Sequence, residues 1–409
     1  MPDELSVWLH GNHVAVIDTD RGRPRLAYTA EALELYPLGT PLLSLSMPVA
    51  SRRYTQGVVR PFLDGLLPEG WSRTAIAHDL RKSPTDTFAL IGALGRDCAG
   101  ALVIQPADDP APPGPTTATA EPLGRDGLEA AVSNLRSEPL GISGRVRVSL
   151  AGVQDKLVLT RMADGSWGRP VDGTPSTHLL KPEITGLSHT VENEAFCMCL
   201  ARHLGVGAAA VETTEIAGRR LIVVERYDRV VSADHTVERL HQEDFCQAFA
   251  MSPDTKYEPD GGPSLRRIAA IVASVAEPRS LERLLQAVTL NALIANGDAH
   301  AKNFSLLHRR DGSLTLAPLY DLMCTLHYGD DRLAMYIDDV RRSNRVTGER
   351  LVNEAVAWGL PPARALEIIH DLLAAAPAAI AQAANETAGL PDAILTIVEA
   401  QLDHLRSTS

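Results

Sequence analysis

Residues 296–303 read Asn-Gly-Asp-Ala-His-Ala-Lys-Asn, and a second aspartate, Asp321, follows after one stretch patterned like a tight hairpin. Two carboxylates, an amide and a lysine at this spacing suit phosphoryl transfer from a metal nucleotide. Asp298 is placed to orient a hydroxyl nucleophile as catalytic base. Asn303, five residues on, and Asp321 can hold magnesium against the phosphates of ATP. Lys302 can meet the transferring phosphoryl group, and His300 can act as a donor that holds the loop. Asp, Asn, Gly and His also favour ordinary turns, so the octet alone does not decide the matter. The intervening pattern adds weight: residues 304–308 alternate like a strand, Arg309-Arg310-Asp311-Gly312 is a turn, and residues 313–317 alternate back. A hairpin returns its ends to one place, so Asn303 and Asp321 are expected to be neighbours. This is the order of groups in protein kinases, but without His-Arg-Asp and with Tyr320-Asp321-Leu322 where Asp-Phe-Gly is usual.

The elements that must position these groups can be read around them. A helix over 281–295, apolar at Leu281, Leu284, Leu285, Val288 and Ala292 with Ser280 as N-cap, delivers the octet. Upstream, 145–229 is mostly strand-like. Within it, residues 149–156 (Ser-Leu-Ala-Gly-Val-Gln-Asp-Lys) form a loop between two strands. Its backbone N–H groups at Ala151, Gly152, Val153 and Gln154, with Lys156, can be aimed at phosphate oxygens. Lys181 closes a strand and suits a lysine bridging the α- and β-phosphates. A helix over 189–204, ending at Gly205, offers Glu192 or Glu194 as its carboxylate anchor, and helical phase does not choose between them. Residues 223–229 suit a hinge presenting backbone groups to adenine, with Tyr227 packing nearby; by themselves they equally suit an edge strand.

Length and composition bound the rest. A chain of 409 residues, 45% hydrophobic and 22% charged, is expected to fold as two or three globular domains. A net charge of −12 without a lysine or arginine cluster disfavours direct non-specific nucleic-acid binding. The acidic N-terminus has no apolar signal core, and the apolar stretch 372–384 is interrupted by Pro377, so a cytoplasmic protein without a membrane span is expected. Five cysteines (98, 197, 199, 246 and 324) read as reduced thiols, since no zinc spacing joins them. Residues 105–123 contain six prolines and read as a linker. Gly297-Asp298-Ala299-His300 and Gly11-Asn12-His13 imitate two motifs of metal-dependent phosphoesterases, but in reversed order and without the other ligand motifs.

Taken in order, these segments resemble the HipA family, the kinase toxins of type II toxin–antitoxin pairs. Residues 62–70 with Pro68-Glu69-Gly70, and Asp97-Cys98-Ala99-Gly100, resemble its N-terminal subdomain. Segments 149–156, 177–181, Asn193-Glu194, 224–229, His241-Gln242-Glu243-Asp244, Lys256-Tyr257-Glu258, Gly261-Gly262-Pro263-Ser264, the octet and Tyr320-Asp321 follow in family order. The resemblance implies an α+β, bilobal protein-kinase-like fold: an N-terminal α/β subdomain (1–105), a linker (106–123), a β-rich N-lobe (124–242) and a helical C-lobe (243–409). It implies ATP and Mg2+ as cofactors, Asp298 as base, Asn303 and Asp321 as metal ligands, Lys181 on the phosphates, and Glu225 with Tyr227 at the adenine hinge. Ser149 matches the position of autophosphorylation. The implied partners are a HipB-like helix-turn-helix antitoxin, which carries most of the DNA contact, and a protein substrate, glutamyl-tRNA synthetase in the best-known case. Two other readings remain: a small-molecule kinase similar to aminoglycoside phosphotransferases, and a non-catalytic nucleotide-binding scaffold.

Overall fold

A computed structural model describes residues 3–112, 120–142 and 146–407. Met1 and Pro2, the middle of the Pro-rich stretch (113–119) and Arg145 lie outside the described residues. The chain forms two compact units, Met1–Pro182 with Thr214–Asp254, and Glu183–Thr213 with Thr255–Ser409.

In the first unit, alternating residues build a four-stranded antiparallel sheet in the order Arg23–Tyr28, Asn12–Asp20, Glu4–Leu9, Leu102–Pro106. Helix Gln56–Leu66 buries Val59, Phe62, Leu63 and Leu66, the i, i+3, i+4, i+7 stripe that a core-facing helix requires. That core continues without a break into Leu140, Val146, Val148, Leu150 and Val158. The N-terminal residues therefore share one core with the strand that leads into the 149–156 loop.

A second, six-stranded sheet runs in the order Val211–Ile216, Arg219–Glu225, His178–Pro182, Leu157–Arg161, Trp167–Arg169, Glu121–Leu123. Its strands alternate between two cores. Leu157, Leu159, Leu180, Leu221 and Val223 pack with Ala131 and Val132 of helix Arg125–Ser133, while Val158 enters the core shared with the N-terminal residues. Glu121–Leu123 corrects the linker reading at its C-terminal end. Pro122 does not prevent a strand there because the strand is an edge, where a missing N–H costs no ladder bond. At the N-terminal end of the same stretch, Gln105 donates to the Pro110 carbonyl (2.7 Å) and Arg96 pairs with Asp109 (2.6 Å).

The second unit is mainly helical: Thr190–His203, Leu265–Val275, Ser280–Leu293, Gly348–Ala357, Pro362–Glu386 and Asp392–Ser407, with the hairpin Ser305–His308 and Leu314–Leu316. Ser280 is the first helical residue rather than the N-cap. Arg279 precedes it without a side-chain cap, because the Ser280 N–H already donates to Glu277 in a turn (2.8 Å). Helix Pro362–Glu386 is long and apolar enough, by length and composition, to cross a membrane. It continues through Pro377, contrary to the interruption expected from sequence. Pro377 cannot donate to the Leu373 carbonyl, and Arg406 supplies that bond instead (2.7 Å). One face of this helix is buried within the unit, through Ala365, Ile369, Leu373, Ala376, Ile380 and Ala383. All five cysteines are unbridged. Burial raises the Cys98 thiol to about 12 and Cys324 to about 11, so both stay protonated.

Candidate active site

The octet leaves the end of helix Ser280–Leu293 through Ala295, which adopts a left-handed φ of 50°. Asn296 is buried and braced in both directions: its amide donates to Asn291 Oδ1 (2.8 Å), and its own Oδ1 accepts from the Asp298 N–H (3.1 Å). Gly297 passes so close to the Arg332 carbonyl that a Cβ would collide with it. Its N–H donates to Thr325 Oγ1 (2.7 Å) and its carbonyl accepts from Ala334 N–H (2.7 Å). The Asp298 carbonyl then accepts from His300 N–H (2.7 Å) and from Asn303 Nδ2 (3.0 Å). Because Asn303 spends its amide nitrogen on the loop, its Oδ1 is the atom left to face a cation.

The expected hairpin is present and brings its ends together. Leu306 pairs with Leu316, and Tyr320 Oη donates to the Lys302 carbonyl (2.6 Å). Asp321 follows, exposed, in the left-handed region at φ 59°, a conformation that a non-glycine residue holds only when its surroundings impose it. Asp298 is also exposed, yet crowded. Desolvation is the largest influence on its carboxyl and raises it. The Tyr257 hydroxyl, donating to Asp298 Oδ1 (2.7 Å), pulls it down, and the Asp321 carboxylate pushes it up; the net result lies above the usual aspartate value. The coupling to Asp321 puts the two carboxylates of the sequence motif within electrostatic reach of each other. Lys302 and His300 are buried, and His300 packs edge-on against Tyr257 with ring centroids 5.2 Å apart.

The first unit carries the other predicted groups. Ser149 is fully buried and donates to the Leu66 carbonyl (2.9 Å); Val148–Ser149 pairs in parallel with Asp97–Cys98. Beyond it the loop opens. Gly152 has φ 108°, Val153 is 58% exposed, and the Gly152 N–H donates to Glu69 Oε1 (3.2 Å). Lys156 donates to the Ala151 carbonyl (2.7 Å). Gln154 ties the loop to the end of the lysine strand through the Pro182 carbonyl (3.1 Å). Lys181 is buried on that strand, opposite Ile222 and on the same side of the alternation as Leu179. Glu225, exposed, ends the neighbouring strand. Tyr227 follows two residues later with its hydroxyl on Gln242 Oε1. Glu192 and Glu194 are both buried on helix Thr190–His203, so burial does not choose between them.

Three contributors were not singled out from sequence. Tyr257 touches the candidate base directly. Thr325 joins the octet to the segment after Asp321. Asn193 clamps that segment to helix Thr190–His203, donating to the Cys324 carbonyl (3.0 Å) and accepting its N–H (2.8 Å). Tyr257 and Asn193 stand in segments that carry the family resemblance, but nothing in their spacing assigns them a task.

Residues 5–105 match the HipA N-terminal domain, and residues 148–380 match the HipA-like C-terminal domain. The chain is 40% identical over 342 residues to "Putative kinase Y4mE" of Sinorhizobium fredii, covering 81% of this chain and 80% of the relative. It is 31% identical over 345 residues to the serine/threonine-protein kinase toxin HipA of Shewanella oneidensis, covering 80% and 78%. A solved chain from the Shewanella oneidensis complex of HipA, HipB and operator DNA superposes with a TM-score of 0.83 at 27% identity, covering 99% of this chain and 96% of that one. The fold is α+β and kinase-like, and the chain belongs to the HipA family.

Proposed function

We propose that this chain is an ATP-dependent serine/threonine-protein kinase and the toxin of a type II toxin–antitoxin pair, acting in the cytoplasm. The observation that carries the reading is the octet. It presents Asp298 with a raised carboxyl, braced by Asn303 and coupled to Asp321. In the reaction, a substrate hydroxyl oxygen forms a bond to the γ-phosphorus while the bond from that phosphorus to the β–γ bridging oxygen breaks. ADP leaves, and the hydroxyl proton passes to Asp298. A carboxyl shifted upward holds that proton better than an ordinary aspartate.

Asn303 Oδ1 and the Asp321 carboxylate form an all-oxygen donor pair of the kind that, with phosphates and water, suits Mg2+. When bound, the ion would neutralise charge on the phosphates. Lys181, Lys302, His300, Lys156 and the 151–154 amides are assigned to the phosphates, and Glu225 and Tyr227 to adenine. Glu194 is assigned to anchor Lys181.

Ser149 is assigned as the autophosphorylation site. A phosphate there would put a dianion, without a donor, against the Leu66 carbonyl that the hydroxyl now serves. The loop could not then keep its present position. The partner is a HipB-like antitoxin that carries most of the operator DNA contact, and the substrate is a protein such as glutamyl-tRNA synthetase. Support for the antitoxin is the complex in which the Shewanella oneidensis relative was solved.

Intact and peptide mass spectrometry after incubation with Mg-ATP tests this reading. One added phosphate on Ser149, with further transfer to a protein substrate by Ser149→Ala, is the expected result. A chain that starts unphosphorylated and gains nothing would overturn it.

A further inference from the structure

The segment proposed to meet adenine is held by a buried ionic network whose other half lies in the N-terminal residues. Arg226 grips Asp228 with two nitrogens, Nε to Oδ1 (3.0 Å) and Nη2 to Oδ2 (2.8 Å). It also donates to Ser176 Oγ (2.7 Å) and to the Cys98 carbonyl (2.9 Å). Arg229 donates to Asp97 Oδ1 (2.8 Å) and to the carbonyls of Cys98 (2.8 Å) and Gly100 (2.8 Å). Asp97 also accepts from the Ser176 N–H (3.0 Å), and Asp228 accepts from the Gly100 N–H (2.7 Å). All four charged residues are at most 5% exposed. Burial alone would raise the Asp97 and Asp228 carboxyls, but the arginines override it and hold both below the usual range.

Stability alone explains such a network poorly. Two buried ion pairs bear a desolvation penalty that an apolar cluster of the same volume avoids. What the ions add is direction: three carbonyl and N–H groups of residues 98–100 fix the backbone at 226, 228 and 229. That leaves only Glu225 and Tyr227 turned outward. The network then reaches Tyr227 itself, because Gln242 donates to Asp228 Oδ2 (3.1 Å) and accepts from the Tyr227 hydroxyl.

We propose that Asp97, Arg226, Asp228, Arg229 and Gln242 are positioning residues for adenine, so that the N-terminal segment 97–100 is part of the nucleotide site. This rests on the hinge assignment of Glu225 and Tyr227. Segment 97–100 sets the register of the hinge, and Gln242 passes that register to the Tyr227 ring. Segment 97–100 meets the strand before the phosphate loop through backbone pairing of Asp97–Cys98 with Val148–Ser149, whereas Gln242 and Tyr227 act on the hinge side of the network.

Calorimetry with adenosine and with Mg-tripolyphosphate on the full chain separates the two halves of the nucleotide. Gln242→Met removes both links of a half-buried side chain, while Tyr227→Phe removes one. Each is expected to weaken adenosine binding about 3- to 10-fold, the worth of a neutral hydrogen bond. The double variant should be no worse than Gln242→Met, and tripolyphosphate affinity should not move. Asp97→Asn, checked by thermal melting for folding, should give the same split with a larger adenosine loss. Unchanged adenosine binding in Gln242→Met would overturn the proposal, as would equal losses for adenosine and tripolyphosphate. If the parent itself binds tripolyphosphate but not adenosine, the hinge assignment fails, and the positioning proposal with it.

Discussion

The octet and the phosphate loop are both short irregular segments, but they are built in opposite ways. Between 296 and 303, backbone groups are tied to Thr325, Ala334, Lys256 and each other, and Asn296 and Asn303 spend their side chains on the loop itself. Between 150 and 155, the braces are one carboxylate, Glu69 on the Gly152 N–H, and two side chains that reach neighbouring carbonyls. The chemistry demands a carboxylate fixed to within a fraction of an ångström. A loop that covers phosphates must admit and release a nucleotide, so few bonds and an exposed Val153 suit it. On the proposed assignment, the difference teaches that rigidity is concentrated where the bond would be made and withheld where the nucleotide would enter.

Glycine-to-alanine changes in the two loops sharpen the contrast. Gly297→Ala forces a Cβ into the Arg332 carbonyl, in a strand already bonded to Gly297 through Ala334. It should cost about 1–3 kcal/mol of stability by overpacking, and transfer should fall about 100-fold from misplacement of Asp298. Denaturant unfolding and phosphate incorporation check both.

Tyr257→Phe acts on charge rather than position. The hydroxyl lowers the Asp298 carboxyl, so its loss should raise it further. A base works deprotonated, and activity is lost as pH falls through its pKa. The acid limb of kcat/KM should therefore move to higher pH in the variant, and a shift to lower pH would contradict the assignment.

Gly152→Ala should be the mildest. The added Cβ runs into the Lys156 side chain, whose end can shift at the expense of its bond to the Ala151 carbonyl, and φ 108° is unfavourable for alanine. ATP affinity should drop severalfold with a stability loss smaller than that of Gly297→Ala, since the loop can adjust locally. A stability loss equal to that of Gly297→Ala would erase the distinction between the loops.

The order Asp298, Asn303, hairpin, Asp321 was legible because hairpin alternation is a local pattern, and residues 305–308 and 314–316 pair as read. The helices on either side were legible for the same reason. What escaped depends on distant partners. Pro377 sits inside a helix because Arg406, far along the chain, supplies the missing bond. Pro122 enters a strand because its neighbour Gly168 leaves it an edge place. Tyr257 and Asn193 owe their roles to contacts 41 and 131 residues away, which no spacing rule reports.

The central claim is that Asp298 performs the transfer. Phosphate incorporation by the parent and by Asp298→Ala, with ATP affinity measured by calorimetry on the same samples, tests it most directly. The account predicts that the variant loses transfer by at least about 100-fold while ATP still binds nearly as tightly. Transfer that persists in Asp298→Ala at the parent rate would contradict it.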